Sequence, residues 1–346
     1  MDKKIEQYIR EQILPHYPIN GVLHIAPIEL SLINRNFYIH TQEGAFILQR
    51  MAKIFTTATV EDMAKVIEHL THKGISTLEL IPAIDGHWYY EDQRGYLWKL
   101  MVAVDGETYH VVPNTHIAYE AGKLLGAFLY GLKDFDYTQL KNPLRLHNTQ
   151  EIIDRYNRVF EQLCAQESDE IFREAYISIH KELPQSLLPA TLPWSVVHGD
   201  PKISNFIFGH GSDGQGICMI DLDTTMHHTP LVDIGDGLRS WCGQHEEDPN
   251  NTFALDIFEA AMRGYFSVMP LSPLEVNHVY TAIRMITLEL AARFATDVVD
   301  DNYFGWNDAL FPSRKAHNRA RAYSMVALAR DVATKEQEIR DILHGI

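Results

Sequence analysis

The chain has 346 residues, of which 46% are hydrophobic and 22% are charged, a composition typical of a globular protein. The formal net charge is −16, and such an acidic surface repels phosphate backbones, which argues against a nucleic-acid partner. The charge is compatible with a cationic substrate, and solubility alone explains it equally well. A chain of this length accommodates one large domain or two lobes that share a cleft.

Three cysteines, Cys164, Cys218 and Cys242, are far apart, and the sequence contains no CxxC pair, which excludes a zinc ribbon or a redox dithiol. So few thiols suit a reducing cytosol. The N-terminus is charged throughout, and no apolar run is long enough to cross a bilayer. We therefore expect a cytoplasmic protein without a membrane partner, either a monomer or a homodimer.

The first third of the chain predicts one helix followed by a sheet. Ile5, Ile9 and Ile13 recur every fourth residue, which indicates an amphipathic helix. Runs typical of strands follow at 28–34, 36–41, 45–51, 88–92 and 96–104. A helix fits 59–73 between the third and fourth of these runs. Residues up to about Val104 therefore predict a mainly antiparallel sheet with one inserted helix.

After Val104 the pattern changes to long helical periodicity. Helices are expected around 117–128, 153–163, 252–268, 273–299 and 316–343. Short strand candidates interrupt them at 194–200, 205–209 and 217–223, and a glycine-rich turn between the last two predicts a hairpin. The expected fold class is α+β, with a β-rich lobe over 1–104 and a helical catalytic and substrate-binding lobe over 105–346.

The segment that carries chemistry is 198–236, which contains HGDPKISN, IDLD and DIGD. Magnesium-assisted phosphoryl transfer needs a carboxylate to orient the attacking hydroxyl and oxygen ligands for the metal. Asp200 follows a strand, Asn205 begins the next one, and the hairpin returns Asp221 beside Asn205. Each residue alone is typical of a turn or a helix cap. Together they predict one base and two metal ligands in one place.

These motifs resemble those of a known superfamily. HGDPKISN and IDLD are similar to the Brenner-type motif and the metal-binding aspartate of the aminoglycoside phosphotransferases and choline kinases, which share the protein-kinase fold. More closely, the chain resembles the N-acetylhexosamine 1-kinase branch in INRNFYI, FILQRM, WKLM, IDLDT, GDGLR, ARFATD and HNRARA. The resemblance implies a protein-kinase-like two-lobe fold that uses ATP and Mg²⁺. It makes Asp200 the catalytic base, Asn205 and Asp221 the magnesium ligands, and Asp223 a further metal or substrate contact.

Three more residues of this segment have two interpretations. By the resemblance, His198, Asp233 and Asp236 brace the catalytic loop through hydrogen bonds. For Asp233 and Asp236, capping of the helix that follows is an equal alternative.

The β-rich lobe departs from the common kinase pattern. It has no glycine-rich loop, so the turn around Asn34 would have to cover the phosphates, although a plain hairpin has the same sequence pattern. The usual phosphate-binding lysine of the third strand is expected as Arg50, with Glu61 either its partner or a solvated helix residue. Met101 and Ala103 lie in the expected adenine hinge, which is also compatible with an ordinary buried strand.

The acceptor is expected to be a small molecule with a hydroxyl group, because only nine residues separate Asp223 from Asp233, too few for a peptide-binding segment. The branch resemblance favours an N-acetylhexosamine phosphorylated at its anomeric hydroxyl. Alternatives are a choline, ethanolamine, homoserine or aminoglycoside kinase, or a silent nucleotide-binding module. Arg239 and Arg293 are candidate substrate contacts, and Arg293 is also compatible with a surface ion pair.

Overall fold

A computed structural model describes residues 3–28, 33–211 and 214–346 and shows the predicted α+β fold of two lobes. The smaller lobe is built on a mixed-length antiparallel sheet in the order β1-β2-β3-β6-β4, with β5 also paired to β6. The strands are β1 (Val22–Ile28), β2 (Arg35–Thr41), β3 (Ala45–Arg50), β4 (Leu80–Ile81), β5 (Tyr90–Glu91) and β6 (Leu97–Val102).

The N-terminal segment covers one face of this sheet. It begins as α1 (Lys3–Tyr8) and continues as a π-helical turn over Ile9–Ile13 and a 3₁₀ turn over Leu14–His16. The predicted isoleucine spacing places Ile9 and Ile13 in a buried cluster with Leu48 and Trp98 of the sheet. This face is therefore sealed by apolar packing.

The opposite face of the sheet packs on α2 (Thr57–His72), which Thr56 begins with a capping box. Side chains of adjacent strand residues point to opposite faces, and directly paired residues share a face. Lys99 pairs with Gln49 and faces α2, whereas Arg50 pairs with Trp98 and faces the N-terminal helix. Because of this alternation, Lys99 faces the space between the lobes and Arg50 does not.

The larger lobe is mainly helical. Its helices are α3 (Thr115–Gly131), α4 (Thr149–Gln166), α5 (Glu170–Glu182), α6 (Pro230–Cys242), α7 (Leu255–Phe266), α8 (Pro273–Asp300), α9 (Arg314–Thr334) and α10 (Glu336–Gly345). Its apolar core is continuous with the inner face of α2 through Met63, Val66 and Leu70. The single helix expected over 316–343 is wrong, because the chain breaks at Lys335 into α9 and α10.

Two short strand pairs frame the chemical segment. Strand β7 (Ser195–Val197) pairs with β10 (Met226–His228), and β8 (Phe206–Phe208) pairs with β9 (Gly216–Met219). The second pair confirms the predicted hairpin. The loop from 198 to 205 therefore runs between two small sheets that fix both of its ends.

The first strand, β1, begins earlier in the chain than the first strand predicted from the sequence. β1 occupies Val22–Ile28, and residues 29–32 of the strand expected over 28–34 lie outside the described ranges. The lobe boundary predicted after Val104 falls in the connection between β6 and α3. None of the helices in the described ranges combines the length and the hydropathy that crossing a bilayer requires.

Candidate active site

A buried carboxylate, that of Asp233, accepts hydrogen bonds from the main chain of the loop that carries Asp200. Asp233 of α6 accepts hydrogen bonds from the main-chain N–H groups of His198 at 2.7 Å and Gly199 at 2.8 Å. The His198 ring bonds the carbonyl oxygen of Ile220 through Nε2 at 2.9 Å. It accepts the N–H of Asp200 at Nδ1, so the ring is the neutral Nε2–H tautomer. These bonds show that His198 and Asp233 brace the loop, as the sequence analysis expected.

A buried histidine, His147, bonds a main-chain oxygen of the same loop. His147 Nε2 lies 2.9 Å from the carbonyl oxygen of Gly199, and Nδ1 lies 2.7 Å from Glu289 Oε1. Thr149 donates to the second oxygen of Glu289 at 2.6 Å. Because both ring nitrogens face acceptors, both carry protons and the ring is an imidazolium. Burial opposes this charge, but Glu289 holds the pKa of His147 above its ordinary value.

Asp200 lies between a cation and an amide. Its Oδ2 is 2.6 Å from Lys202 Nζ and 3.3 Å from Asn205 Nδ2, and Asn205 also donates to its main-chain oxygen at 2.7 Å. Although burial raises it, the Lys202 ammonium brings the pKa of Asp200 below its ordinary value. Asp200 is therefore an ionised carboxylate with a fixed orientation.

The hairpin brings Asp221 to the same place. Phe206 pairs with Met219 in the hairpin, and the N–H of Ile220, the next residue, donates to the carbonyl oxygen of Asn205 at 2.8 Å. Asp221 has left-handed backbone angles, φ 63° and ψ 53°, which cost a non-glycine residue about 1–3 kcal/mol. Burial and the nearby Asp223 carboxylate raise the pKa of Asp221 to about 6.

The donor atoms at this place fit a magnesium ion. Oδ1 of Asp221 is buried without a hydrogen-bond partner, as a metal ligand would be before the metal binds. Because Nδ2 of Asn205 makes its protein bonds, Oδ1 of that amide is left to face a cation. Across the described ranges no cluster of three His, Cys, Asp or Glu side chains suits a metal. A magnesium ion here would complete its shell with phosphate oxygens and water.

Asp223, expected as a metal or substrate contact, lies between the lobes with only 1% of its side chain exposed. One of its oxygens bonds Lys99 Nζ, and the other accepts from Asn34 Nδ2 at 3.1 Å. The Asn34 amide oxygen accepts the N–H of Ala52 at 2.9 Å. Both carboxylate oxygens of Asp223 are thus already bonded, which does not support a direct substrate contact.

Arg50 lies outside this space. Its guanidinium stacks at 4.4 Å over the ring of Tyr96, on the face of the sheet that Trp98 shares. Among the described residues, the guanidinium of Arg50 contacts Tyr96 and no ion pair joins it to Glu61 of α2. This corrects the expectation of a phosphate-binding Arg50–Glu61 pair, because strand alternation turns Arg50 away from the catalytic loop.

The expected adenine hinge includes Met101 at the end of β6 and Ala103, which follows the strand. Met101 is buried on the inner face, and the N–H of Ala103 donates to the carbonyl oxygen of Ala45 at 2.9 Å. That donor is therefore not free for a base. The N–H of Val104, one residue further, has no acceptor within the described part of the chain. Val104 is thus a better placed donor than Ala103.

Arg239, the residue expected to contact the acceptor, lies in a group of ion pairs near Asp200. Arg239 is buried and bonds Asp236 through Nε at 3.0 Å and Nη2 at 2.8 Å, and its charge helps to lower the pKa of Asp200. Glu246, with a side chain 37% exposed, lies 3.6 Å from Arg239 and 3.7 Å from Arg321. Glu246 therefore links Arg239, near Asp200, with Arg321 of α9.

Arg293 of α8 contacts aromatic residues instead. Its guanidinium lies 5.8 Å from the ring centre of Tyr303 and 5.6 Å from that of Phe304, and Nη2 is 3.5 Å from the Tyr303 hydroxyl. Arg293 lies one helical turn after Glu289, which pairs with the His147 imidazolium that bonds the catalytic loop. No contact joins Arg293 to Asp200, so its substrate role stays a prediction.

Three residues of the site had no assigned role in the sequence analysis. Lys202 had a local signal, because it follows Asp200 by two residues within the motif. Lys99 had a weaker one, an isolated lysine in an otherwise apolar strand. His147 had none, because the fold rather than the sequence brings it to Gly199.

Comparison with known proteins identifies a family. Residues 24–270 match the phosphotransferase enzyme family. The chain is 27% identical to a homoserine kinase from Mesorhizobium japonicum over 286 residues, which cover 81% of this chain and 82% of that one. An aminoglycoside phosphotransferase from Alicyclobacillus acidocaldarius has the same fold, with a TM-score of 0.66, 13% identity and coverage of 95% of both chains. A spectinomycin phosphotransferase solved with ADP and spectinomycin has a TM-score of 0.63 at 13% identity, over 96% of this chain and 98% of that one.

Because the family match spans most of the sequence, the chain belongs to the phosphotransferase enzyme family. It is a small-molecule kinase, an ATP-dependent enzyme that transfers a phosphoryl group to a hydroxyl acceptor. The predicted superfamily is confirmed, and the N-acetylhexosamine branch stays a prediction.

Gly199→Ala tests whether the catalytic loop tolerates a side chain at its tightest point. Gly199 has φ +84°, and a Cβ there would lie 2.5 Å from Thr224 O and Met226 Cε. We expect a loss of on the order of 2 kcal/mol or more in unfolding free energy, with loss of turnover. Gly86→Ala is the matched control, because Gly86 has φ +87° with no atom within 4 Å of a Cβ. Equal destabilisation of the two variants in urea unfolding would contradict the steric account.

Glu289→Gln tests the buried imidazolium. Removing one charge of a buried pair costs about 3–5 kcal/mol, so we expect a large loss of stability. Since the folded pKa of His147 is raised, its stabilising contribution is present below about pH 6.5 and disappears as the pH rises through the folded pKa. The difference in unfolding free energy between wild type and variant should therefore shrink from pH 6 to pH 9. A pH-independent difference would show that His147 is neutral in the folded protein.

Proposed function

We propose that this enzyme transfers the γ-phosphoryl group of magnesium-bound ATP directly to a sugar, an N-acetylhexosamine or a close relative, at its anomeric hydroxyl. The observation that supports direct transfer is the convergence of Asp200, Lys202, Asn205 and the unpartnered oxygen of Asp221 on one loop and one hairpin. That arrangement contains an ionised carboxylate, a cation and two oxygen ligands. Phosphoryl transfer requires little else from a protein.

Asp200 orients the acceptor hydroxyl and receives its proton. Its lowered pKa makes it a weak base, which suffices because the transition state of phosphoryl transfer is loose and the proton leaves late. Lys202 remains charged and is 39% exposed, so it can reach the transferred group while it bonds Asp200. A fixed cation there stabilises the charge of the transferring phosphoryl group.

Asn205 and Asp221 would hold the magnesium ion. The ion would neutralise charge on the phosphates and fix their orientation. On the protein side, Asn205 contributes a neutral oxygen and Asp221 a carboxylate, so the two ligands do not repel each other. The nucleotide base would lie at Met101–Val104, and Asn34, which bonds Asp223, would lie near the phosphates.

The acceptor proposal rests on charge balance together with the sequence resemblance. Arg239 is neutralised by Asp236 and Glu246, and Arg321 by Glu246 and Glu247, at 3.6 to 3.8 Å for the glutamate pairs. Such loose pairs at partly exposed glutamates can rearrange to bond hydroxyl groups without stranding a charge. A neutral, hydroxyl-rich acceptor fits this surface.

Homoserine is the second candidate. The chain is similar over 81% of its length to a protein named homoserine kinase. In addition, Nε of Arg321 is buried without a hydrogen-bond partner, and a carboxylate of an amino acid would satisfy it. The amino group would then need Glu246 or Glu247.

Asp200→Asn should abolish turnover while nucleotide binding survives, because the amide cannot accept the hydroxyl proton. We expect kcat to fall by about 10²–10⁴-fold. The dissociation constant for magnesium and a non-hydrolysable ATP analogue, measured by calorimetry, should stay within a few-fold of the wild-type value. Asp154→Asn, on the exposed side of α4, is the matched control and should leave both quantities unchanged. Near-normal turnover by Asp200→Asn would refute the assignment of Asp200.

An ADP-release screen over acceptors distinguishes the two candidate functions. N-acetylhexosamines should give the highest kcat/KM, with the product identified as the 1-phosphate by ³¹P NMR. A higher kcat/KM for homoserine would replace the sugar proposal with the second candidate. ATP binding without ADP release on any acceptor would favour the silent nucleotide-binding module.

A further inference from the structure

We infer that Lys99, acting through Asp223 and Asn34, fixes the start of β2 against the turn that holds Asp221 and so positions the site for nucleotide binding. The inference rests on the proposed ATP-dependent function and extends it to residues outside the catalytic loop. Its basis is one connected set of buried polar contacts between the lobes, which we call the Lys99 cluster: Lys99, Asp223 and Asn34.

Lys99 is almost completely removed from solvent. Its side chain is 1% exposed, although it carries an ammonium group on a strand whose other residues are apolar. Nζ bonds a carboxylate oxygen of Asp223 and lies 3.3 Å from the sulfur of Met63 on α2. Burial of such a charge is unfavourable unless it is paired, and a hydrophobic pair would often be at least as stable. Core stability alone therefore gives no reason for a lysine here.

Asp223 connects this lysine with the metal-binding turn. It is two residues after Asp221, and its main-chain oxygen accepts from Asn142 Nδ2 at 3.3 Å. The N–H of Asn142 in turn donates to Asp62 of α2 at 2.6 Å. The turn that holds Asp221 is thus tied by Asp223 to β6 and, through Asn142, to α2.

Asn34 extends the cluster to the start of β2. It immediately precedes β2, is 4% exposed, and bridges Asp223 Oδ2 and the N–H of Ala52. The start of β2 is therefore fixed relative to Asp221 through Asp223, with Lys99 neutralising the carboxylate that makes the connection.

The third strand contributes no cation to this space. The residue beside Lys99 is Gln49, a neutral amide that shares its face, and Arg50 points to the opposite face. Lys99 is the positive group that the sheet buries toward α2 and Asp223. Without it, Asp223 would be an uncompensated buried carboxylate, and its bond to Asn34 would no longer be held in place.

The test compares Lys99→Met with Lys53→Met. Methionine matches the length of lysine without its charge, and Lys53 is an exposed lysine of the same lobe that donates to Arg94 O. We expect the dissociation constant for magnesium and a non-hydrolysable ATP analogue, measured by calorimetry, to rise about tenfold or more in Lys99→Met, a typical coupling between sites. Lys53→Met should match the wild type.

Steady-state kinetics adds a second readout that a general loss of structure would not produce. In Lys99→Met the KM for ATP should rise by the same factor as the dissociation constant, while the KM for the acceptor changes by less than about twofold. Asn34→Ala leaves the Lys99–Asp223 pair intact and removes the two bonds by which Asn34 connects Asp223 with the N–H of Ala52. It should also weaken nucleotide binding, and it decides the matter if Lys99→Met fails to fold.

The inference is overturned if both folded variants bind the nucleotide as tightly as the wild type, or if the acceptor KM rises in parallel with the KM for ATP. Loss of nucleotide affinity in Arg50→Met but not in Lys99→Met would also overturn it. A wild-type enzyme that binds the nucleotide but phosphorylates no acceptor would refute the proposed acceptor, while the binding comparison would still decide the role of Lys99.

Discussion

The register of one hairpin is the constraint on which the site depends. The pairing of Phe206 with Met219 aligns β8 with β9, and the hydrogen bond from Ile220 N–H to the carbonyl oxygen of Asn205 continues this alignment toward Asp221. A slip of one residue in this pairing would turn the side chains of β9 to the other face and displace Asp221 relative to Asn205. The left-handed backbone of Asp221 then directs it toward Asp200 and Asn205 at a local energetic cost.

The catalytic loop is rigid because buried charged groups hold its main chain from two sides. Asp233 binds two N–H groups of the loop, and the His147–Glu289 pair binds the carbonyl oxygen of Gly199. Burying such groups is unfavourable unless each is fully bonded, and here the bonds are made to backbone atoms that no apolar side chain could hold. We interpret these buried groups as fixing the orientation of Asp200 at a cost in the free energy of unfolding.

The motif and its geometry were predictable from sequence because they are local. Asn205 follows Asp200 by five positions, and a glycine-rich turn indicates the hairpin that returns Asp221. The inner cation was not predictable in the same way. Arg50 matched by position along the strand, but the pairing of β3 with β6 puts it on the outer face and leaves Lys99 inside. His147 and Glu289 also escaped prediction, since contacts between residues 142 positions apart have no local pattern.

In the proposed mechanism, Asn205 and Asp221 hold one divalent ion, beside which Asp200 meets the terminal phosphate. Anomalous diffraction from Mn²⁺ in crystals of the enzyme with a non-hydrolysable ATP analogue tests this arrangement directly. We expect one anomalous peak at bonding distance from Asn205 Oδ1 and the Asp221 carboxylate, with the γ-phosphate facing Asp200. A manganese ion bound elsewhere, or a γ-phosphate directed away from Asp200, would contradict it.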